Sequence, residues 1–133
     1  RPDFDSGWTV RDDLLICDAG RHGWLRFDQA QGDFELEFEY RLPARGNSGI
    51  LFRYPGGNTP VTNALEAQII DDDYSRFSLA SRTRSGALYG VTGPAASSHN
   101  AANQWNKLRI LCRGEEITIS LNDKVTTKTK LSD

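Results

Sequence analysis

Apolar and polar residues alternate with a period of two along most of the chain, which is the pattern of half-buried β-strands. The clearest example is segment 33–40, in which Phe34, Leu36, Phe38 and Tyr40 alternate with four acidic residues. Clusters of Gly, Asn, Asp and Pro separate the alternating segments, and no segment has a sustained helical period. The sequence therefore predicts an all-β fold, an antiparallel two-sheet sandwich of the jelly-roll kind. Further strands are predicted at 49–53, 65–70, 85–90, 108–112 and 117–121, with an N-terminal hairpin of 8–10 and 14–16 and hairpin turns at 113–116 and 122–123.

Length and charge narrow the class of protein. The chain has 133 residues, of which 38% are apolar, and we expect a single sandwich domain over residues 1–133. Lys and Arg number 16 against 18 Asp and Glu, a net charge of −2 without a basic cluster, so nucleic acid is not the expected partner. No apolar stretch approaches the roughly 20 residues of a membrane span. The chain starts at Arg1 and contains no methionine, so we expect it to be processed or to be part of a longer polypeptide.

The two cysteines allow two interpretations. Cys17 and Cys112 could form a disulfide that closes a long loop, or each could be an isolated small apolar residue, which is the more common case. Neither has a second Cys or a His at the spacing of a structural zinc site. The spacing does not decide between the two.

The densest polar cluster lies on two neighbouring predicted strands. On the first strand Asn47 and Arg53 share a face, and on the second Glu66 and Gln68 do, with Asp71 at the strand end. A cation, a carboxylate and an amide fixed on one sheet face suit a polyhydroxylated ligand such as a sugar. The alternative is an ordinary exposed cross-strand pair of Arg and Glu, which contributes at most about 1 kcal/mol.

Tyr89 and His99 are the other candidates for contact with a ligand. Tyr89 lies in a short predicted strand bounded by Gly86 and Gly90, which would let a ligand approach closely. It could stack on a sugar or donate a hydrogen bond, or it could be a core tyrosine with its hydroxyl at the rim. His99 lies in the long polar loop that follows, where a solvated histidine is the simpler interpretation.

A conventional pair of glycosidase carboxylates is disfavoured. Glu66 and Asp71 lie on one predicted strand, but residues five apart share a strand face only where a bulge intervenes. The middle position is the amide Gln68, so the strand lacks a second carboxylate two residues after Glu66.

Six short motifs occur in order along the chain: Gly23-Trp24-Leu25, Asp33-Phe34-Glu35-Leu36, Gly46-Asn47-Ser48-Gly49-Ile50 with Arg53, Glu66-x-Gln68-Ile69-Ile70-Asp71, Ser85-Gly86-Ala87-Leu88-Tyr89-Gly90 and Gln104-Trp105-Asn106. Taken together, they resemble the 3-keto-disaccharide hydrolase domain family over nearly the whole chain. Two differences stand out: the family usually has Asn-Gly where this chain has Asn122-Asp123, and it usually continues with one more strand. We therefore expect the chain to lack that last strand and a short N-terminal segment.

The resemblance implies a concanavalin A-like sandwich, exported to the periplasm or outside the cell, that cleaves 3-keto-glycosides. A ketone at C3 acidifies the hydrogen on C2, so a base can remove it, the enolate expels the C1 substituent, and water adds to the enone. This chemistry leaves room for a divalent metal bound to the keto oxygen.

The resemblance also implies roles for single residues. Glu66 would be the base, and Arg53 and Gln68 would hold the enolate and hydroxyl oxygens. Asp71 would support Arg53 or a metal, and Tyr89 would act as an acid or a stacking platform. Two further substrate contacts are expected at Asn47 and His99, with His99 as the next candidate base.

A carbohydrate-binding module without catalysis remains the alternative, as part of a larger exported protein. Sandwiches of this kind often only bind sugars, and the chain has no histidine or cysteine constellation typical of a catalytic centre. The sequence does not indicate an oligomeric state.

Overall fold

A computed structural model describes residues 7–18, 23–57, 60–74 and 80–132. The chain divides into two compact units, Arg1–Gln31 and Gly32–Asp133, and each is described by itself. Among the described residues, no helix is long and apolar enough to cross a membrane. The expected single domain stays a prediction.

The first unit contains one β-hairpin. Strand β1 (Trp8–Arg11) pairs antiparallel with β2 (Leu14–Cys17), as the alternation at the N-terminus predicts. Asp12 and Asp13 form the two-residue turn with φ of 52° and 59°. Two positive φ values match the right-handed twist of the flanking strands, and aspartate tolerates that conformation better than most residues.

The larger unit is built around a four-stranded antiparallel sheet. Its strands lie in the order β3-β6-β7-β8. The predicted turn at Asn122 and Asp123 is confirmed, with φ of 51° and 64°. The strands are β3 (Phe34–Arg41), β6 (Trp105–Arg113), β7 (Glu116–Leu121) and β8 (Lys124–Lys130).

A second, smaller sheet completes the β-sandwich. Strand β4 (Asn47–Phe52) pairs antiparallel with β5 (Leu65–Ile70), and a short helix α1 (Pro60–Asn63) lies between them in sequence. The predicted strand at 85–90 is reduced to single bridges from Leu88 to Ala67 and Thr92. Segment 85–90 nevertheless lies along β5 and extends this sheet.

The core lies between the inner faces of the two sheets. From β6 and β7 come the fully buried side chains of alternate residues, and Phe52, Ala67, Ile69 and Leu88 come from the smaller sheet. The ring of Phe34 meets that of Phe52 edge to face at 5.9 Å between centroids. Burial of every second residue is the physical basis of the period-two pattern. The β6 and β7 contributors are Leu108, Ile110, Cys112, Ile117, Ile119 and Leu121.

Both cysteines are free thiols. Cys17 is exposed and Cys112 is buried in the core of the larger unit. Burial raises the pKa of the Cys112 thiol, so it stays protonated and acts as a small apolar residue.

Candidate functional site

The outer face of the smaller sheet contains three of the predicted site residues. The register of β4 and β5 pairs Asn47 with Ile70, Gly49 with Gln68 and Leu51 with Glu66. Directly opposed residues of an antiparallel pair share a face, so Asn47, Glu66 and Gln68 lie on the side away from the core. With Tyr89, described below, we call these residues the Glu66 face.

Glu66 lies in a partly dehydrated position. Its carboxyl group occupies the space beside Gly49 that a Cβ atom would fill. Burial raises the pKa of this carboxyl above its ordinary value of 4.5. A carboxylate with a raised pKa is a stronger base than one in water, which suits the removal of a proton from carbon.

Tyr89 lies beside Glu66 on the neighbouring segment. Its backbone N–H donates to the carbonyl of Glu66 at 2.9 Å, and the adjacent bridge joins Ala67 to Leu88. This register places the Tyr89 side chain on the same side as Glu66. Tyr89 is 50% exposed, so its ring is available to a ligand. Gln68 is buried, and its Oε1 accepts the Ile69 N–H at 3.2 Å.

A bulge in β8 holds the Tyr89 segment in place. Ile119 pairs with Thr127 and Ser120 with Val125, so Thr126 is the extra residue. Both threonine hydroxyls donate to the carbonyl of Gly86, at 2.8 and 2.9 Å. Consecutive side chains of a regular strand point to opposite faces, and the bulge is what lets both reach one acceptor.

The expectation that Arg53 points with Glu66 and Gln68 needs correction. Strand β4 ends at Phe52, and Arg53 has a φ of 52°, which turns its side chain out of the strand alternation. Its guanidinium donates to the carbonyl of Gly114 in the β6–β7 turn and also contacts the Cys112 thiol. The structure thus does not bring Arg53 to the Glu66 face.

The remaining predicted residues, Asp71 and His99, meet each other at a different place. Together with Asp72 and Asp73 they form what we call the acidic pocket. The side chains of His99 and Asp72 are each only 7% exposed, and Asp71 is 6% exposed. The Nε2 atom of His99 lies 3.7 Å from Asp73 Oδ2, and its Nδ1 atom lies 4.0 Å from Asp72 Oδ2.

Backbone groups fix the carboxylates of the acidic pocket. Asp71 Oδ2 accepts the Arg45 N–H at 2.7 Å, and Asp72 Oδ1 accepts the Ser85 N–H at 3.0 Å. Burial raises the pKa of Asp72, against the opposing effects of the Ser85 bond and of His99. Burial also raises the pKa of nearby Tyr40, to about 12. A small cavity of about 10 Å³, the size of one water molecule, opens beside Tyr40, Asp71 and His99.

Three asparagines position the loop that contains His99. Asn106 is buried, and its Oδ1 accepts the Asn100 N–H at 2.7 Å and the Asn122 side-chain amide at 2.9 Å. Asn122 also donates to the carbonyl of Ser98 at 2.8 Å. The residues on both sides of His99 are therefore bonded to β6 and to the β7–β8 turn.

Sequence reasoning missed several residues of the acidic pocket. Asp72 and Asp73 were not among the predicted site residues, and neither was the neighbouring Ser97, whose hydroxyl lies 2.5 Å from His99 Nδ1. A detectable signal was Asn106, a polar residue at an inward position of a strongly alternating strand. Buried polar groups need partners, so such a position indicates a polar network.

The chain is similar in sequence and in fold to proteins that are already known. A 3-keto-disaccharide hydrolase of Bacteroides thetaiotaomicron is 24% identical over 141 residues, which cover 90% of this chain and 49% of that protein. The chain therefore spans about half the length of this curated relative.

Solved structures show the same fold. A "putative glycosyl hydrolase" from Parabacteroides distasonis superimposes with a TM-score of 0.81 at 20% identity, over 96% of this chain and 64% of that one. A second structure of that description from the same organism gives a TM-score of 0.69 at 23% identity, over 94% of this chain and 64% of the other. The family model for the 3-keto-alpha-glucoside-1,2-lyase-like domain matches residues 1–133, and it agrees with the resemblance drawn from the motifs. This chain belongs to the family of 3-keto-alpha-glucoside-1,2-lyase-like domains.

Proposed function

We propose that the chain is the catalytic domain of a carbohydrate-active enzyme that cleaves the glycosidic bond of 3-keto-glycosides. The observation on which this rests is the half-buried carboxylate of Glu66, placed beside Tyr89 and Gln68 on an outer sheet face. The family supports a sugar as the ligand, and the curated relative is a 3-keto-disaccharide hydrolase.

The proposed reaction begins at C2 of the oxidised sugar. The Glu66 carboxylate takes the C2 proton, and the electron pair of the C–H bond moves into the enolate of the C3 ketone. The enolate then re-forms the ketone and expels the C1 oxygen substituent, which takes up the proton that Glu66 removed from C2. Water adds across the resulting enone and gives the free 3-keto sugar.

The three other residues of the Glu66 face fit supporting roles. Gln68 is buried and its Oε1 accepts the Ile69 N–H, so it fits a role in holding the strand beside Glu66 and not a direct contact with the enolate oxygen. Tyr89 is half exposed, and its ring suits the apolar face of a pyranose. Asn47 is exposed at the start of β4 and offers both a donor and an acceptor to a sugar hydroxyl.

The test compares a 3-keto-disaccharide with its unoxidised parent, with cleavage followed by mass spectrometry. We expect cleavage of the keto form only, and slower cleavage when C2 carries deuterium, because the C2–H bond breaks in the proposed step. Glu66→Gln should reduce the rate at least a hundredfold. The matched control is Glu39→Gln, on the exposed face of β3, which should keep full activity.

Two outcomes would contradict the proposal. Full activity of the Glu66→Gln variant would place the base elsewhere. Binding of both sugars without turnover would identify a carbohydrate-binding module instead.

A further inference from the structure

Three side chains of the acidic pocket bring metal-ligating atoms together. One carboxylate oxygen from Asp71, one from Asp73 and one ring nitrogen of His99 all lie within 4.8 Å of one another. Asp71 directly follows β5, Asp73 lies in the 3-10 turn Asp72–Tyr74, and His99 comes from the loop before β6. Residues from three parts of the chain thus converge on one point.

Two polar atoms of these side chains are buried without a hydrogen-bond partner. Asp71 Oδ1 and His99 Nε2 are both inaccessible to solvent, and no group in the described part of the chain bonds to either. Leaving a buried polar atom unsatisfied costs about 1 to 3 kcal/mol, and more for a charged group. Such atoms in a folded protein indicate a ligand, an ion or a water that satisfies them.

The other atoms of the same side chains are already held. Asp71 Oδ2 accepts the Arg45 N–H, and His99 Nδ1 is bonded to the hydroxyl of Ser97. A proton on Nδ1 that is donated to Ser97 leaves a lone pair on Nε2, which lies 3.7 Å from Asp73 Oδ2. This is the usual arrangement of a metal-binding histidine, in which the second ring nitrogen is fixed by an outer hydrogen bond.

We propose that Asp71, Asp73 and His99 bind a divalent transition-metal ion of the Zn²⁺ class. One imidazole nitrogen and two carboxylate oxygens form a donor set that suits Zn²⁺, whereas Ca²⁺ and Mg²⁺ select oxygen ligands alone. The three ligands, two carboxylates and a neutral imidazole, together carry −2, which a divalent ion neutralises. The proposal rests on these side chains and does not depend on the proposed reaction.

Exposure of the three ligands indicates which side of the site is open. Asp71 and the His99 side chain are buried, whereas the Asp73 side chain is 71% exposed. Three protein ligands with one open side are typical of zinc sites that also bind a water or a substrate atom.

The test is a metal titration of the metal-free protein by calorimetry, in a Cys17→Ser background because the exposed Cys17 thiol would itself bind Zn²⁺. We expect one Zn²⁺ per chain and a rise in melting temperature on binding. Ca²⁺ and Mg²⁺ titrated in the same way should bind at least tenfold more weakly.

Two variants and a control locate the site. Asp73→Asn, at an exposed position that should not affect folding, and His99→Gln should each weaken Zn²⁺ binding at least tenfold. Asp28→Asn, at an exposed aspartate that is not one of the pocket residues, should bind like the parent. The proposal is overturned if Zn²⁺ does not bind, if both pocket variants bind as tightly as the parent, or if Ca²⁺ or Mg²⁺ is preferred.

Discussion

The carboxyl group of Glu66 lies against the backbone of Gly49, in the space that any side chain at position 49 would occupy. The two residues are on adjacent strands, and Gly49 pairs with Gln68, two residues along β5. A residue without a Cβ therefore determines where the proposed base can lie.

Gly49→Ala should reduce activity with little change in stability. The new methyl group would push the flexible end of Glu66 away from its position and leave the β4–β5 pairing intact, because the atoms nearest to it all belong to the Glu66 side chain. We expect kcat/KM to fall at least tenfold, because small displacements of a catalytic group are costly, and the melting temperature to change by only a few degrees.

Gly32→Ala is the matched control for Gly49→Ala, since a Cβ at position 32 would meet no atom within 4 Å. Equal activity of the two variants would show that the position of the Glu66 carboxyl does not matter to the reaction.

The raised pKa of Glu66 should be visible in the pH profile. The base must be ionised, so kcat/KM should rise with pH through a pKa above 4.5. A profile that is flat from pH 4.5 upwards would contradict this assignment.

The contribution of Glu66 to folding stability should fall as the pH rises, whereas its contribution to activity should increase. The folded state holds the Glu66 proton more tightly than the unfolded state, so this group favours folding most at low pH, and the benefit is lost as pH rises through the raised pKa. Glu66→Gln removes that loss, and its melting temperature at pH 7 should equal or exceed that of the parent. Thermal denaturation from pH 4 to 8 measures the difference, which should grow with pH.

Arg53→Gln should act on stability. The guanidinium donates to the Gly114 carbonyl and joins the end of β4 to the β6–β7 turn. Because the side chain is exposed, the loss should be about 1 kcal/mol, a few degrees in melting temperature. Cleavage of the 3-keto substrate should change less than threefold. A hundredfold loss of kcat with an unchanged melting temperature would instead support the catalytic role that the family resemblance implies.

Gly86→Ala should destabilise the larger unit. Gly86 has a φ of 81°, and a Cβ there would come within 2.7 Å of Thr126 Oγ1 and 3.0 Å of its methyl carbon. The strained backbone and the contact together should cost about 2 to 4 kcal/mol. Chemical denaturation measures the change. Gly32→Ala serves again as the neutral control. Equal denaturation midpoints for Gly86→Ala and Gly32→Ala would contradict the close packing of Gly86 against Thr126.

Most strands are predictable from the sequence because every second residue is apolar, which gives a visible period of two. The exception is β8, in which Thr127 is the one buried residue and the only aliphatic residue, Val125, is exposed. Its pairing with β7 rests on backbone hydrogen bonds and on the turn at Asn122 and Asp123, and neither gives a hydrophobic pattern. Sequence periodicity detects burial, so it misses a strand that has little of it.

The candidate site likewise contains residues that strand alternation predicts and residues that it does not. Glu66 and Gln68 could be assigned to one face because they lie two apart on one strand. The orientation of Arg53 depends on its positive φ just after Phe52. A residue other than glycine seldom adopts a positive φ, so the sequence does not indicate this turn. The burial of His99 depends on the bond between Asn106 and Asn122, which lie 16 residues apart in sequence and meet only after folding.

The asparagine bonds beside His99 also determine how that loop responds to solvent. Carboxamides neither titrate nor attract counterions, so ionic strength should leave the anchoring of Ser98 and Asn100 unchanged. The Asn100 N–H donates to a buried oxygen on a central strand of the four-stranded sheet. Its amide hydrogen should therefore exchange with deuterium as slowly as those of β6, and the loop should open only when the sheet itself unfolds.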